Sequence, residues 1–332
     1  MPTAARIQPR LLAAAAAAAR IPYRRPLSHR RIRFAQIGQS TYFEACSLGD
    51  EHEALETCFL EFRSGADAAR MRQRLDAFDP HVVLVFRPEI VPAGALADLN
   101  AIVVGFLTEP LPRTGTVVHP DLERRLDDFR AVDPGNFDRL ISFDPLMAET
   151  AAAIAPVWRS IPLPVADRYY ADLHPTRGAA RALFLGRSTP HREHFLLPAK
   201  HAYDLLHIAH GVGADRLETL LAEHDVGINL HNEPYPSFEN RVCLHLAAGH
   251  LLITESLSPT HGLEPGIDYL EITLPRELMH HIHALQRFPR AYERIRVRGR
   301  LKAEQYRASC IYPRLIHDLY ADVAAFGSPR AA

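Results

Sequence analysis

The sequence has almost no lysine and no excess of either charge. Only Lys200 and Lys302 are lysines among its 38 basic residues, so nearly every base is an arginine. This bias, together with the many alanines, is typical of a GC-rich genome and is not by itself a functional signal. Acidic residues number 39, and the formal net charge is −1. Such a chain offers no bulk electrostatic attraction for nucleic acid, so we expect no nucleic-acid partner.

Cysteine and long apolar segments are also scarce. The four cysteines stand at positions 46, 58, 243 and 310 and form no C-x-x-C pair. Their spacing excludes a disulfide framework and a zinc ribbon, and we expect free thiols in a reducing cytoplasm. No window approaches the roughly 20 consecutive apolar residues that span a bilayer. The length of 332 residues predicts two domains or one large one.

The N-terminal segment lacks acidic residues altogether. Residues 1–33 contain eight arginines, and the first acid of the chain is Glu44. Leu11 and Leu12 precede seven alanines, which gives a short and weakly apolar run. We expect residues 1–30 to be an Arg/Ala-rich helix or disordered leader. A targeting segment stays open as the alternative, as does peripheral contact with an anionic membrane surface.

From residue 31 onward, apolar runs of strand length alternate with amphipathic stretches of helix length. Continuous Val/Ile/Leu runs such as HVVLVF and AIVVGFL are typical of strands covered on both faces, hence of a parallel sheet. In the first block we predict strands over 31–37, 57–62, 81–86, 101–107 and 140–143. The helices predicted beside them cover 66–77, 93–99, 122–130 and 146–155.

A proline-rich stretch over 156–180 interrupts this alternation, which then restarts. In the second block we predict strands over 181–185, 203–209, 225–230, 251–254 and 267–272, and helices over 191–200, 214–223, 238–248, 276–287, 290–308 and 312–325. The expected organisation is a leader, an N-terminal lobe, a linker, a C-terminal lobe, and a final helix with a tail. Their bounds are 1–30, 31–160, 161–180, 181–310 and 311–332.

The expected fold is therefore α/β, with two Rossmann-like doubly wound lobes facing each other across a cleft. In such lobes ligands bind at the carboxyl ends of the strands. No G-x-G-x-x-G follows the first strand, and no G-x-x-x-x-G-K-[ST] occurs in the sequence. These absences argue against a dinucleotide oxidoreductase and a P-loop NTPase. Glycosyltransferases, sugar epimerases and two-lobed binding proteins remain.

The second block carries an ordered set of segments that is more specific. They read RALFLGRS at 181–188, DVGINLHN at 225–232, SFENRVCLHLAAG at 237–249, LLITE at 251–255 and GLEPGIDYLEI at 262–272. This order resembles the donor-binding lobe of GT-B-fold glycosyltransferases, specifically the bacterial spore-maturation-protein-like or glycosyl transferase group 1 type. The resemblance implies transfer of a sugar from a nucleotide-diphosphate sugar to an unidentified acceptor. It implies no metal and no cofactor, the nucleotide sugar being a co-substrate.

The sequence departs from that resemblance at two acidic positions. Leu244 stands where the family usually has the glutamate that holds the donor ribose. Pro236 stands at the position of its partner in the E-x7-E pattern of retaining enzymes. If the resemblance holds, Glu239 or Glu233 would bind the donor ribose. Whether the reaction retains or inverts the configuration stays open.

The same residues fit a donor diphosphate on physical grounds. A helix N-terminus and arginine side chains both attract phosphate. We expect Ser237 to cap a helix whose first turn presents Glu239, Asn240 and Arg241 to the cleft. Gly186 permits close approach beside Arg187. The predicted donor-binding residues are Gly186, Arg187, Arg192, His210, Asn232, Glu233, Ser237, Phe238, Glu239, Asn240 and Arg241.

An inverting transfer also needs a general base near the acceptor hydroxyl. Such a base would come from loops after the strands of the first lobe, and the candidates are Glu109, Glu44 and His119. Glu109 is favoured because it directly follows a buried strand. No D-x-D motif occurs, and the histidines at 191, 194, 280, 281 and 283 lack the carboxylate or cysteine partners of a metal site.

Three other functions stay open beside a glycosyltransferase. The missing glutamates would also fit a catalytically degraded GT-B protein that acts as a scaffold or binding partner. A nucleotide-sugar epimerase of the same fold would act on the donor without an acceptor. A two-lobed solute-binding protein would need an export signal, for which the leader is weak evidence.

Overall fold

The computed structural model describes residues 31–49, 52–116, 118–173, 179–210 and 212–331. The leader predicted over 1–30 lies outside them, as do Pro175 and Gly178 of the predicted linker. None of the helices in these ranges is both long and apolar enough to cross a membrane.

The first lobe is built on a parallel sheet of six strands. Its central strands are buried on both faces, because every residue of β3 and β4 is buried. The strands follow the order β2-β1-β3-β4-β5-β6. Their bounds are β1 Ile32–Gly38, β2 Leu55–Glu61, β3 Val82–Phe86, β4 Ile102–Leu107, β5 Arg139–Ser142 and β6 Val157–Ser160. The parallel sheet that the apolar runs predict is thereby confirmed.

Four helices accompany this sheet: α1 Ser40–Phe43, α2 Ala68–Phe78, α3 Pro120–Arg130 and α4 Ala148–Ala152. Asp67 starts α2, and its side chain accepts bonds from the amides of Ala69 and Arg70. His119 starts α3 in the same way, because its Nδ1 accepts the amide of Asp121 at 3.2 Å. These caps satisfy amides that the first helical turn leaves free.

The second lobe repeats the plan with five parallel strands in the order β11-β10-β9-β7-β8. The strands are β7 Ala182–Leu185, β8 Leu205–Ile208, β9 Val226–Asn229, β10 Leu251–Thr254 and β11 Leu270–Glu271. Its helices are α5 Pro190–Ala202, α6 Ala214–Ala222, α7 Asn240–Ala247, α8 Pro275–Arg287 and α9 Glu293–Lys302. The expected α/β fold of two Rossmann-like lobes is confirmed.

The last helix, α10 Ala308–Phe326, returns to the first lobe. The hydroxyl of Tyr312 donates to the carbonyl of Cys46 at 2.6 Å, and its ring lies 5.3 Å from that of Phe34. Asp318 accepts from Arg159 at 2.7 Å, on the edge strand β6. The chain therefore crosses between the lobes twice, which ties the two sheets together.

Three predicted elements are corrected by the structure. Residues 93–99 form successive turns rather than a helix, because Pro92 and a left-handed Gly94 (φ +72°) interrupt the backbone bonding. Residues 157–160 lie in the proline-rich stretch but form the edge strand β6. An edge position tolerates neighbouring prolines, since one side of the strand needs no partner. The helix predicted over 290–308 begins only at Glu293, after a left-handed Tyr292, and ends at Lys302.

Candidate functional site

A cavity of about 550 Å³ lies between the lobes, at the carboxyl ends of both sheets. Residues that follow β3 and β4 line one side, and residues that follow β7, β8 and β9 line the other. We call the lining residues between 39 and 163 the first wall and those between 185 and 244 the second wall. The cavity lies where ligands bind in folds of this kind.

The structure brings most of the predicted site residues together around this cavity. Eleven of the fourteen line it: Glu109, Gly186, Arg187, Arg192, His210, Asn232, Ser237, Phe238, Glu239, Asn240 and Arg241. The other three, Glu44, His119 and Glu233, are not among the lining residues. Glu44 pairs with Arg168 at 3.3 Å. Glu233 lies 3.7 Å from Nε2 of His119, which starts α3.

Gly186 leaves room for a ligand in front of two guanidinium groups. A Cβ atom at this position would lie 3.3 Å from Nη1 of Arg192 and 3.4 Å from Nη1 of Arg241. Both guanidiniums also lie 5.4 Å from the ring of Phe184. Any side chain at position 186 would occupy this space, so the glycine keeps the two cations open to the cavity.

Arg192 is placed by the start of α5. Thr189 precedes the helix, and its hydroxyl accepts the amide of Arg192 at 3.2 Å. The Nε of Arg192 donates to the carbonyls of Leu230 and His231 at 3.1 Å each. These bonds aim the guanidinium across the carboxyl ends of β7 and β9.

Arg241 is buried beside a single carboxylate. Its Nη2 donates to the carbonyl of Leu230 at 2.5 Å and lies 3.2 Å from Oε1 of Glu239. Its Nε has no hydrogen-bond partner among the described residues. Glu239 also lies 3.4 Å from Nδ1 of His231. One carboxylate thus faces both Arg241 and the ring of His231, and the donor capacity of Arg241 is not used up.

Burial is the largest cause of the pKa shifts of the two arginines. Burial and then Arg241 lower the pKa of Arg192. Burial lowers the pKa of Arg241 as well, against the opposing effect of Glu239. Burial would raise the pKa of Glu239, but Arg241 and His231 outweigh it and hold the value well below the usual range. The second wall is therefore a strongly cationic surface that favours an anion.

The predicted capping role of Ser237 is wrong. Helix α7 begins at Asn240, and Glu239 occupies the N-cap position in an extended conformation without a side-chain cap. The hydroxyl of Ser237 lies 3.2 Å from Nδ1 of His231 instead. The extended chain through Glu239 starts the helix later than predicted, which leaves Ser237 to position His231.

Asp121 links the lobes beside the second wall and was missed by the sequence argument. Its Oδ2 accepts from the hydroxyl of Tyr235 at 3.0 Å and from Nδ2 of Asn232 at 3.2 Å. Asn232 in turn accepts Nε of Arg187 at 2.8 Å. Burial would raise the pKa of Asp121, but Arg124, Arg125 and these hydrogen bonds lower it instead. A residue of the first lobe thus orients Asn232 directly and, through Asn232, Arg187.

The first wall carries a different pattern of charge. Arg87 donates from Nε to Oε1 of Glu89 at 2.8 Å, and Arg125 is hydrogen-bonded to Glu109. Burial would lower the pKa of Arg87 and Arg125, but these carboxylates outweigh it and raise both values. Glu89 was missed, although it follows the strand HVVLVF much as Glu109 follows AIVVGFL. Glu109 was predicted because it follows a buried strand of the first lobe, and the same reasoning would have predicted Glu89.

No protein-family model matches the sequence, and no curated protein matches it significantly. Solved structures do match. HepE from Anabaena, in complex with UDP-glucose, aligns with a TM-score of 0.58 and 11% identity, over 88% of this chain and 100% of that one. Sucrose-phosphate synthase from Thermosynechococcus elongatus gives 0.55 and 11%, over 88% and 100%. AviGT4, a glycosyltransferase involved in avilamycin A biosynthesis, gives 0.54 and 13%, over 89% and 98%.

The chain has the GT-B fold. Leu244, which stands where the resemblance predicts a glutamate, lines the cavity and is 7% exposed. Pro236 is not among the lining residues. Glu239, five residues before Leu244, lines the cavity and carries a negative charge. It is the one acidic residue among the described residues of the second wall.

Of the histidines noted in the sequence, His280 and His281 lie side by side, with ring centroids 5.5 Å apart. His191 bonds Glu255 at 2.8 Å, and Nδ1 of His281 lies 3.0 Å from the hydroxyl of Tyr292. In the described ranges no group of three or more His, Cys, Asp or Glu side chains is placed to hold a metal ion.

Proposed function

We propose that this protein is a glycosyltransferase that moves a sugar from a nucleotide-diphosphate sugar to an acceptor hydroxyl. The observation that carries the proposal is the open pair of guanidiniums, Arg192 and Arg241, beside Gly186. A diphosphate supplies about two negative charges to cations that have one buried carboxylate between them. The GT-B fold supports the same conclusion, because HepE has been crystallised with UDP and with UDP-glucose.

The second lobe, over about 181–310, would hold the donor. Arg192 and Arg241 would bind the diphosphate from inside the wall, and the half-exposed Arg187 would bind it from the rim. Glu239 is the better candidate for the ribose hydroxyls, since Glu233 does not line the cavity. The first lobe, over 31–160, would hold the acceptor, with 161–180 as the connection between them.

The reaction would break the bond between the anomeric carbon and the diphosphate oxygen. Negative charge grows on that oxygen as the bond breaks, and preorganised guanidiniums stabilise it. With three arginines at hand, the donor site would need no divalent metal. The arginines themselves would stabilise the negative charge of the leaving diphosphate.

A thermal-shift screen tests this proposal. UDP, GDP, ADP, CMP and dTDP are each added to the purified full chain, together with their common sugars. A ligand at 100 times its Kd stabilises the native state by about 2.7 kcal/mol. We expect one nucleoside diphosphate to raise the Tm clearly and the others to raise it less.

The screen also decides the alternatives. If no nucleotide raises the Tm of the folded protein, the transferase proposal is contradicted, and Leu244 and Pro236 favour a degraded scaffold instead. Conversion of the bound nucleotide sugar to its epimer, with no acceptor present, would identify an epimerase. The acceptor is not identified, and the cytoplasmic location and a role of residues 1–30 stay predictions.

A further inference from the structure

We propose that the outer side of α9, together with the turn that leads into it from α8, binds the surface of an anionic phospholipid membrane. The inference goes beyond the proposed function, because none of the residues involved lines the cavity. Five bases and two apolar residues form this surface, which we call the basic face. They are Arg287, Phe288, Arg290, Arg294, Arg298, Leu301 and Lys302.

Helix α9 places its bases in a row. Arg294, Arg298 and Lys302 follow one another at intervals of four residues, which brings their side chains to one side of a helix. Arg294 and Arg298 are exposed, whereas Arg296 and Arg300 between them are buried. At a rise of about 1.5 Å per residue, the helix presents these bases along about 15 Å of surface.

The buried arginines of α9 fix the orientation of the basic face. Nε of Arg296 donates to the carbonyl of Gly249 at 2.6 Å. Nε of Arg300 donates to the carbonyl of Ala171 at 3.0 Å. These bonds hold the inner side of the helix against the rest of the protein, so the opposite side faces solvent.

The bases of the basic face lack acidic partners. In α3, by contrast, the exposed Arg124 pairs with Asp128 of the same helix at 3.3 Å. Helix α9 has one acid, Glu293, and it lies 3.8 Å from Arg296 of the buried side. No base of the basic face forms an ion pair with a described residue. Their charges are therefore available to the phosphates of anionic lipids.

Two apolar side chains are exposed among these bases. Phe288 is 65% exposed and Leu301 is 63% exposed, more than any other large apolar side chain that the structure describes. Phe288 lies between Arg287 and Arg290 in the sequence, and Leu301 directly precedes Lys302. At a membrane surface such apolar side chains enter the boundary of headgroups and acyl chains, while neighbouring bases attract the anionic lipids.

This combination favours a lipid surface over a nucleic acid. Proteins that bind single-stranded nucleic acid stack bases on aromatic rings beside a basic groove. The basic face has one aromatic ring, and its second exposed apolar side chain, Leu301, has no ring for a base to stack on. A bilayer takes up both apolar side chains and both kinds of contact.

Sedimentation with vesicles tests the proposal on the full chain. Vesicles of phosphatidylcholine with roughly 30% phosphatidylglycerol provide the anionic surface, and vesicles of phosphatidylcholine alone provide the uncharged comparison. The double variant Arg294→Gln/Arg298→Gln removes two charges from the basic face. Arg70→Gln/Arg74→Gln is the matched control, because these arginines are also exposed, lie one helical turn apart on α2 and form no ion pair with a described residue.

We expect the wild type and the control to sediment with the anionic vesicles and to stay in solution with the uncharged ones. Arg294→Gln/Arg298→Gln should bind the anionic vesicles about 30-fold more weakly, since each base near such a surface strengthens binding by about 5-fold. Added salt should weaken the binding of the wild type, because it screens these charges.

Fluorescence tests the apolar part of the surface. In Phe288→Trp the new indole should emit at shorter wavelength when the anionic vesicles are added, because it leaves water for the membrane boundary. Leu146→Trp, at a position of the first lobe that is 51% exposed, is the control and should show no such shift. Trp158, the one tryptophan of the sequence, is present in both variants and contributes equally.

Any of four results would overturn the proposal. They are failure of the wild type to sediment with the anionic vesicles, equal binding to both kinds of vesicle, unchanged binding by Arg294→Gln/Arg298→Gln, and an unshifted Phe288→Trp. Tighter binding of the wild type to a single-stranded oligonucleotide, lost in Arg294→Gln/Arg298→Gln, would assign the basic face to nucleic acid and would overturn it as well. The thermal shift with nucleotides is measured without vesicles, so failure of the proposed function is seen separately.

Discussion

The two walls of the cavity hold equal numbers of arginines but unequal numbers of carboxylates. The first wall has Arg87, Arg124 and Arg125 with three lining acids, and the second has Arg187, Arg192 and Arg241 with one lining acid, Glu239. Asp121 of the first lobe lies 3.8 Å from Arg187, so the shortage of carboxylates falls on Arg192 and Arg241. The pKa values of Arg87 and Arg125 are raised, whereas those of Arg192 and Arg241 are lowered. The two walls have the same number of arginines. The carboxylates beside those arginines make the first wall nearly neutral, whereas the second wall is cationic.

This difference assigns a ligand to each wall. A cation whose charge is already matched gains little from an anionic ligand, since it must give up an existing ion pair. A cation without a full set of partners gains a charge-assisted hydrogen bond. The second wall is therefore the place for a diphosphate, and the first wall suits an uncharged hydroxyl compound. Substitutions in one wall at a time test this assignment.

The largest effect on nucleotide binding is expected from Arg241→Met. Removing a charge-assisted bond to the diphosphate should weaken nucleotide binding by about 100-fold, or about 2.7 kcal/mol. Isothermal titration of the best nucleotide from the thermal screen measures the loss. Arg216→Met on the exposed face of α6 is the matched control and should bind as the wild type does. Equal affinity in both variants would contradict the cationic role of the second wall.

Glu239 and Glu89 are both buried, but their pKa values are shifted in opposite directions. The pKa of Glu239 is held low, so its ionised form contributes stability above about pH 4.5 that is lost as the pH falls. The pKa of Glu89 is raised, so its ionised form costs stability as the pH rises through the folded-state value. At pH 7, Glu239→Gln should therefore lower the free energy of unfolding by about 3 kcal/mol, as expected for breaking a buried ion pair. Glu89→Gln should leave it equal or slightly higher.

Urea unfolding at pH 7 and at pH 4.5 measures both effects. The difference in the free energy of unfolding between the wild type and Glu239→Gln should be smaller at pH 4.5. At that pH the wild type begins to lose the stability that ionised Glu239 contributes. A loss of stability in Glu89→Gln as large as that in Glu239→Gln would contradict the assigned environments.

A smaller effect is expected from Gly186→Ala. The added Cβ would lie within 3.4 Å of the guanidiniums of Arg192 and Arg241 and would take up space in front of them. Nucleotide affinity should fall by about 10-fold, or about 1.4 kcal/mol. Gly213→Ala is the control for an added methyl group, because its Cβ would meet nothing within 4 Å. Gly186 has φ +155°, a conformation that strains alanine, so urea unfolding of Gly186→Ala shows whether this variant stays folded. If the two variants bind nucleotide equally well, Gly186 does not border the ligand.

The apolar pattern of the sequence was enough to predict the sheets. Buried strands such as Val82–Phe86 and Ile102–Leu107 are nearly continuous apolar runs, and their ends locate the cavity. Arg187, Arg192 and Arg241 could be predicted as site residues because each lies shortly after such a strand or at the start of a helix that follows one. Local signals of this kind need no knowledge of distant contacts.

Other features depend on contacts that no local signal reports. Asp121 meets Asn232 across 111 positions of sequence, so only the packed lobes bring them together. The charge state of each wall depends on which arginine reaches which carboxylate. The late start of α7 follows from the extended backbone of Glu239, although glutamate is not a preferred N-cap residue and Ser237 is one.

The most direct measurement is a crystal structure of the full chain with the nucleoside diphosphate that stabilises it most. The account predicts that the diphosphate lies on the second wall, with its oxygens within hydrogen-bond distance of Arg241 and Arg192 and with Gly186 beside it. A diphosphate bound to Arg124 and Arg125 of the first wall would contradict the account, because those cations would then have exchanged their carboxylate partners for the ligand.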